Sequence, residues 1–264
     1  MYLTRQARDS SGKHMLNIVL PIAGRGSRFV EVGYSVPKPL IPIHGIPMME
    51  AVIHNIRPSA EHRFIFLALA EHLESSDLRS VLERASPGCV ILPVDVVTEG
   101  AACTVLLARR FIDTADPLMI ANCDQWVDVR IDDYLTEIDR AQADGLIMTM
   151  WADDPKWSFV GFDKTKRVTR VVEKEVISNE ATVGIYNFRR GSDFVAAADA
   201  MIAQNLRVNN EFYVAPVYNQ MIAAGAHLAI FNVGREFDGM YGLGTPADLE
   251  QFLSLSISRR AATI

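Results

Sequence analysis

Short hydrophobic runs alternate with amphipathic stretches along the first half of the chain. The run Leu16-Asn17-Ile18-Val19-Leu20 opens the pattern, and residues 16–22 are predicted as a strand buried on both faces. Pro47-Met48-Met49-Glu50-Ala51-Val52-Ile53 reads as a helix with proline in its first turn. Residues 63–69 are predicted as a strand, 71–84 as a helix, 89–94 as a strand, 101–111 as a helix and 117–121 as a strand. Such alternation predicts an α/β fold, a mostly parallel sheet with helices on both faces. Ligands of these sheets bind beyond the carboxyl ends of the strands.

After Asp144 the texture changes. Residues 145–151, 158–163, 168–173 and 181–188 are β-like and are separated by turn-rich links such as Asp153-Asp154-Pro155. Helices are predicted at 193–204 and 212–223, a strand at 227–233 and a last helix at 246–258. No long linker, repeat or low-complexity segment interrupts the chain. The expected organisation is one mixed-sheet domain over 15–262, whose second half, 145–262, adds a substrate-binding lobe to the first, 15–144. Residues 1–14 are polar, lack the apolar middle of a signal peptide and read as a disordered tail, with Met15 as an alternative start.

Composition narrows the classes. The 264 residues are 49% hydrophobic and 22% charged, as in ordinary soluble proteins. A net charge of -6 argues against a general nucleic-acid binder, while leaving room for a local basic pocket. Cys89, Cys103 and Cys123 form no metal-ligand spacing and read as reduced thiols of a cytoplasmic protein. No apolar stretch reaches the ~18 residues of a membrane helix. The apolar last helix (Leu249, Phe252, Leu253, Leu255, Ile257) serves either as core or as the interface of a homo-oligomer.

The loop after the first strand carries the candidate chemistry. Gly24-Arg25-Gly26-Ser27-Arg28-Phe29 fails the dinucleotide fingerprint, because Phe29 stands at the third glycine, and it lacks the Gly-Lys-Ser/Thr of a P-loop. Small residues at Ala23, Gly24 and Gly26 nevertheless let backbone N–H groups approach a phosphate. Arg28 adds a bidentate cation. Lys38, between Pro37 and Pro39, is expected in a rigid, extended segment. Together these point to a phosphate site.

The pattern Ala-Gly-Arg-Gly-Ser-Arg followed by Pro-Lys-Pro-Leu resembles the signature of the sugar-phosphate nucleotidylyltransferases, the nucleotide-sugar pyrophosphorylases. The resemblance spans most of residues 16–253. It implies a Rossmann-like, three-layer mixed sheet of the nucleotide-diphospho-sugar transferase type. It also implies transfer of a nucleotide from a nucleoside triphosphate to a sugar 1-phosphate, with Mg²⁺ and release of pyrophosphate. In the family the loop arginine and the lysine ten residues later contact the triphosphate, which assigns Arg28 and Lys38. Residues 15–144 become the nucleotide-binding half, with Ile22, Ala23, Gly24, Arg25, Gly26 and Ser27 as nucleotide-binding residues, although Pro21 and Ile22 stand where the family usually has a leucine and a small residue next to the base. Asp95, Thr98, Glu99 and Gly100, within a stretch similar to the family's Gly-Thr-Ala turn, become candidates for reading the base. Capping of the next helix explains Thr98 equally well.

Asn122-Cys123-Asp124 follows a predicted strand, and Asp124 is the implied metal ligand. Glu173-Lys174 resembles the pair in which lysine holds the sugar phosphate and glutamate a sugar hydroxyl. Gly184 lies in a strand similar to the one passing under the sugar, and Glu211 matches an acidic residue capping the sugar pocket. One position departs from the pattern. Gly242 stands where many members carry the second metal aspartate. Either one carboxylate suffices, or a neighbour such as Asp238 substitutes, or metal binding differs.

Further stretches look like an outlying, capsule-type branch of the family, acting in surface polysaccharide synthesis. That keeps open a cytidylyltransferase acting on an amino alcohol or amide phosphate. A glycosyltransferase of related fold is a second alternative, although Asp124-Gln125-Trp126 is not its usual Asp-x-Asp. A non-catalytic regulatory subunit is a third. No membrane or nucleic-acid partner is expected.

Overall fold

In the computed structural model, which describes residues 14–263, β1 (Leu16–Ile22) is buried on both faces. Ile18, Leu20 and Ile22 pack into one hydrophobic cluster, and Val19 with Ala23 into a second one. That division follows from the two-residue period of a strand, and it explains why β1 reads as an apolar run. The tail expected at 1–14 lies outside the described residues except for His14, which is exposed with its ring nitrogen 3.1 Å from Asp116.

The further strands are β2 (Pro42–Ile43), β3 (Ile46–Pro47), β4 (His62–Leu69), β5 (Val90–Val94), β6 (Leu118–Ala121) and β7 (Gln125–Val127). They continue with β8 (Gly145–Trp151), β9 (Ser158–Phe162), β10 (Val168–Glu173), β11 (Glu180–Phe188), β12 (Leu228–Glu236) and β13 (Gly239–Gly242). One mixed sheet runs β5-β4-β1-β6-β11-β8-β12-β13-β7, with β9 joining β11 to β10; β2 and β3 form a separate ribbon. The expected α/β architecture is therefore present, and the same sheet runs through both halves of the chain. Helices Met48–Asn55, Leu78–Ala85, Ile131–Arg140 and Pro246–Ser254 cover one face. Helices Ala101–Leu106, Gly191–Ala203 and Tyr218–Ala223 cover the other.

Strand order positions the site. β1 is parallel to β4 on one side and to β6 on the other, so the chain turns opposite ways from β1 to reach its two neighbours. The loops leaving the carboxyl ends of β1 and β6 diverge there and open a crevice, the usual ligand position of such sheets.

Several predicted elements break or shift. The helix expected at 71–84 is two, Ala70–Ser75 and Leu78–Ala85. Ser76 separates them in extended conformation, its hydroxyl donating to His72 O at 2.6 Å and accepting from Leu78 N at 3.3 Å. Side chains of this kind compete with the helical backbone. The helix expected at 212–223 starts only at a 3₁₀ turn, Ala215–Val217, because the Phe212 backbone is paired elsewhere: its N–H donates to Glu99 O and its carbonyl accepts from Ala102 N. Helix Ile131–Arg140 and strands β7 and β13 are additional to the expected set.

Strand β7 is an edge, and Asn55 clips it to the helix below. The Asn55 amide donates to Val127 O at 2.8 Å and its carbonyl accepts from Val127 N at 2.8 Å. Val127 is buried, so replacing Asn55 by alanine strands a backbone donor and an acceptor. The expected result is a loss of about 1–3 kcal/mol. Urea unfolding checks it as a lower midpoint with an unchanged slope.

Candidate active site

The loop after β1 turns on Gly26, whose φ of 63° is the left-handed region that favours glycine. A Cβ built there would lie 3.1 Å from the Lys38 Cβ, so the absent side chain also leaves room for Lys38. Lys38 itself is not extended as expected. Pro37 is, but Lys38–Leu40 closes a 3₁₀ turn in which Leu40 N–H donates to Pro37 O at 2.8 Å and Ile41 N–H to Lys38 O at 3.1 Å. Pro39 is tolerated because a first-turn N–H has no intrahelical partner to lose. The segment is held as firmly as an extended one, by different means.

Lys38 reaches across the crevice to the loop after β6. Its Nζ donates to Asp124 Oδ2 at 2.6 Å, and its side chain is only 14% exposed. Burial works to lower the Lys38 pKa, but the charge of Asp124, the neighbouring Cys123 and the hydrogen bond to Asp124 together outweigh it, holding the ammonium above its ordinary value. Beside them burial pushes the Cys123 thiol up to about 11, which leaves it protonated.

Two cavities meet at this point. The smaller, about 270 Å³, lies between the β1 loop (Ile22, Gly24, Gly26), Lys38 and Asp124. The larger, about 460 Å³, is bordered by Arg28, Asp124, Glu173, Lys174, Gly184 and Asp248. Asn122 and Asp124 line both, so the cavities are adjoining parts of one cleft. Its floor depends on Gly184, with φ 83°: a Cβ there would fall 2.3 Å from the Asn122 Nδ2. The Gly184 carbonyl accepts from Asn122 N at 2.9 Å and from Gln125 Nε2 at 3.1 Å, tying β11 to the Asp124 loop.

On the far wall, the Glu173 carboxylate is buried and accepts the Ser158 hydroxyl. Burial raises its pKa. Lys174 follows with φ 58°, uncommon for a residue with a side chain and held by its N–H donating to Trp157 O at 3.0 Å. Its ammonium donates to the Tyr213 hydroxyl at 3.1 Å and sits 5.2 Å from that ring's centroid. The bond it donates to Tyr213 raises the Lys174 pKa.

Of the residues singled out in the sequence, Ile22, Gly24, Gly26, Arg28, Lys38, Asp124, Glu173, Lys174 and Gly184 border this cleft. Ala23, Arg25, Ser27, Asp95, Thr98, Glu99, Gly100 and Glu211 line neither cavity. The Thr98 hydroxyl is engaged within its own turn, 2.6 Å from the Thr104 hydroxyl and 2.9 Å from Gly100 O. Glu99 is exposed and pairs with Arg207 at 3.1 Å. Glu211 is exposed, and its neighbour Tyr213 is the residue that reaches the cavity. Asp238 does not replace the carboxylate missing at Gly242. It is exposed in the β12–β13 turn and lines neither cavity, whereas Asp248 does line the larger one. Tyr213 and Asp248 lie in stretches that resemble the family, 209–213 and 242–249, but neither was singled out within them. The Thr-Pro-Ala-Asp spelling before the last helix was the available signal, since it marks a cap with its acidic side chain at a fixed place.

Among the described residues no three His, Cys, Asp or Glu side chains gather as a metal cluster. That donor set still fits Mg²⁺, which takes one or two carboxylates and fills its shell with water and substrate phosphate oxygens. Asp124, at the junction of the cavities, meets the first requirement.

The nucleotidyl transferase family model matches residues 17–217. The chain belongs to this family. The bifunctional protein GlmU of Methanococcus aeolicus is 24% identical over 181 residues, 66% of this chain and 40% of that protein. The chain spans less than half the length of the curated relatives it matches. Among solved structures, the nucleoside-diphosphate-sugar pyrophosphorylase from Vibrio cholerae superposes with a TM-score of 0.76 at 24% identity, covering 90% of this chain and all of that one. The inositol-1-phosphate CTP transferase from T. maritima gives a TM-score of 0.71 at 13% identity, covering 95% and 98%. These likenesses establish the fold as that of the nucleotide-diphospho-sugar transferases. No helix of the described residues is long and apolar enough to cross a membrane.

The raised Glu173 pKa has a sign that stability measurements check. A carboxyl whose pKa is higher folded than unfolded opposes folding above its folded pKa and ceases to do so below the ordinary carboxylate range. Glu173→Gln keeps an acceptor for Ser158 and removes the ionisable group. The expected outcome is a higher Tm than the parent at pH 8, with the difference closing as pH falls to 4.

Proposed function

We propose that this chain is a nucleotidyltransferase that joins a nucleoside triphosphate to a phosphorylated small molecule, a sugar 1-phosphate in the first instance, and releases pyrophosphate. The observation that carries the reading is the cleft itself, which Arg28, Lys38 and Lys174 border together with Asp124. Family membership supports it independently.

The difficulty such a reaction faces is repulsion between two polyanions. An oxygen of the acceptor phosphate attacks the α-phosphorus, the α–β bridging bond breaks, and pyrophosphate leaves with the electron pair. Little covalent help is required; positioning and neutralisation of charge do the work. Lys38 and the glycines of the β1 loop suit the triphosphate, because backbone N–H groups and one rigid ammonium border the smaller cavity. Arg28, exposed on the border of the larger cavity, carries a fork fit for phosphate oxygens. Lys174, fixed against Tyr213, suits the acceptor phosphate, and Glu173, Ser158 and the Thr182–Tyr186 hydroxyl pair offer hydrogen bonds to a hydroxylated body beyond it. Mg²⁺ held by Asp124 would supply further positive charge at the phosphates.

The acceptor is the finer question. The likeness to an inositol-phosphate CTP transferase supports, as a second reading, cytidylyl transfer to a phosphate ester that is not a sugar 1-phosphate. Pyrophosphate release, measured with Mg²⁺, each common nucleoside triphosphate and a panel of sugar, polyol, amino alcohol and amide phosphates, tests both readings. Acceptor-dependent release supports transfer and names the substrates. Cleavage of a finished nucleotide-sugar in its place overturns it in favour of glycosyl transfer.

With the productive pair, Lys38→Ala and Asp124→Asn are each expected to lower turnover by about 10²–10³-fold, the usual effect of losing one preorganised charge. Circular dichroism should stay at the parent's. Near-parental turnover in either folded variant contradicts the assignment. Lys174→Ala is expected to weaken the acceptor phosphate more than the nucleotide, seen as a larger rise in the acceptor KM than in the nucleotide KM.

A further inference from the structure

Three carboxylates border the larger cavity: Asp124, Glu173 and Asp248. Glu173 is buried against the Ser158 hydroxyl on the far wall. The other two converge on Gly244. A Cβ built on Gly244 would stand 3.3 Å from Asp124 Oδ2 and 3.9 Å from Asp248 Oδ2. No side chain at that position separates the two carboxylates, and a larger residue there would press on Asp124. Gly242 tells the same story from the other side. Its Cβ would lie 3.8 Å from Asp248 Cγ and 3.9 Å from Oδ2, so Asp248 stands beside the space a side chain at 242 would enter. The backbone holds this segment against the first carboxylate, with Leu243 N–H donating to Asp124 O at 2.7 Å.

We propose that Asp248 is the second metal-binding carboxylate of this chain, holding with Asp124 a divalent cation of the Mg²⁺ or Mn²⁺ type in place of the aspartate absent at Gly242. The assignment rests on the nucleotidyltransferase reading for the cation's role and on the Gly242–Gly244 geometry for its place. Asp248 is already oriented by the fold. Its Oδ2 accepts from Thr245 N at 3.1 Å and its own N–H donates to Thr245 Oγ1 at 3.1 Å, a reciprocal helix cap. That Oδ2 is also the oxygen nearest Gly242 and Gly244, and the cap takes only one of its lone pairs, which leaves another to face a cation. Two carboxylates are a sufficient protein share for Mg²⁺, whose other ligands are water and phosphate oxygens. Lys38, 2.6 Å from Asp124, already balances one of the two negative charges.

The rival account gives Asp248 the cap alone, and Mn²⁺ separates the two. Mn²⁺ binding to the full chain is read by electron paramagnetic resonance, with the ion alone and with inorganic triphosphate. Asp248→Asn retains the amide oxygen that accepts from Thr245 N, so the helix start is kept while the charge is lost. The expected result is at least about tenfold weaker Mn²⁺ binding, since even outer-shell changes cost that much. Gly242→Asp added to Asp248→Asn is expected to restore binding, because the backbone at 242 is not left-handed and its Cβ has ordinary contacts only. Unchanged Mn²⁺ affinity in Asp248→Asn overturns the assignment, as does failure of the added Gly242→Asp to recover any of the loss in a folded double variant. Pyrophosphate release by the unaltered chain tests the transferase reading separately, so the two can fail independently.

Discussion

A lysine and a carboxylate face each other at 2.6 Å across the crevice between the β1 and β6 loops, and the site is organised around that contact. Ion pairs in such partly buried positions gain Coulomb energy and lose hydration in similar measure, so they add little to stability and are poor reasons for a fold to exist. The Lys38–Asp124 pair is better understood as charge stored in position. Lys38 is fixed by the 3₁₀ turn that begins at it and by the flanking prolines, and Asp124 by the backbone pairing of Asn122 and Leu243. Each neutralises the other in the absence of ligands. A phosphate offers Lys38 the negative charge that Asp124 offers, so an incoming anion exchanges one partner for another without demanding that a buried charge be made from nothing.

A second constraint ties the two halves of the chain together. The turn at Thr98–Gly100 comes from the first half of the chain and Tyr213 from the second, yet their backbones are joined: Phe212 N–H donates to Glu99 O at 2.8 Å and Ala102 N–H to Phe212 O at 3.0 Å. Gly100, with φ 135°, permits the approach, since a Cβ there would lie 2.5 Å from Phe212 N. The exposed Glu99–Arg207 pair adds little by itself. The Arg207 guanidinium 4.2 Å from the Phe212 ring covers the joint. Through Tyr213 the joint continues to Lys174, so a cation bordering the larger cavity depends for its position on a turn from the first half of the chain.

What could be read from the sequence divides along the range of the forces involved. β1, β8 and β10 have the bounds expected from hydrophobic pattern alone, because burial on a strand is written locally with period two. Asp124 and Glu173-Lys174 lie at or just beyond the ends of strands whose pattern was plain, and they, the glycine loop and Lys38 stood out through the resemblance to the family. Strands β7 and β13 were not legible, since three- and four-residue edges form only when they meet each other and Asn55. The break at Ser76 and the delayed helix start at residue 215 likewise depend on bonds the hydrophobic pattern does not record. Asp95, Thr98 and Glu99 carried the right chemistry for a base reader, but their side chains lie in the turn that Phe212 clamps, away from both cavity walls.

Asp248 escaped notice for a more specific reason. In Gly-Leu-Gly-Thr-Pro-Ala-Asp the departure at Gly242 is visible in the sequence, whereas the closeness of Asp248 to Asp124 arises only when the helix start folds against the Asp124 loop. Helix capping and metal binding are compatible demands. A cap bond takes one lone pair of the carboxylate, immobilises the side chain and leaves the remaining lone pairs with fixed directions. A free aspartate at 242 would have to lose rotamer freedom on binding a cation, whereas one that caps a helix has lost it already on folding. The two glycines are then a consequence: with the carboxylate supplied from the helix start, any side chain at 244 would only crowd Asp124, and one at 242 would enter space beside Asp248. A departure that looked like a missing ligand is, on this reading, a relocation of the ligand to a more rigid support.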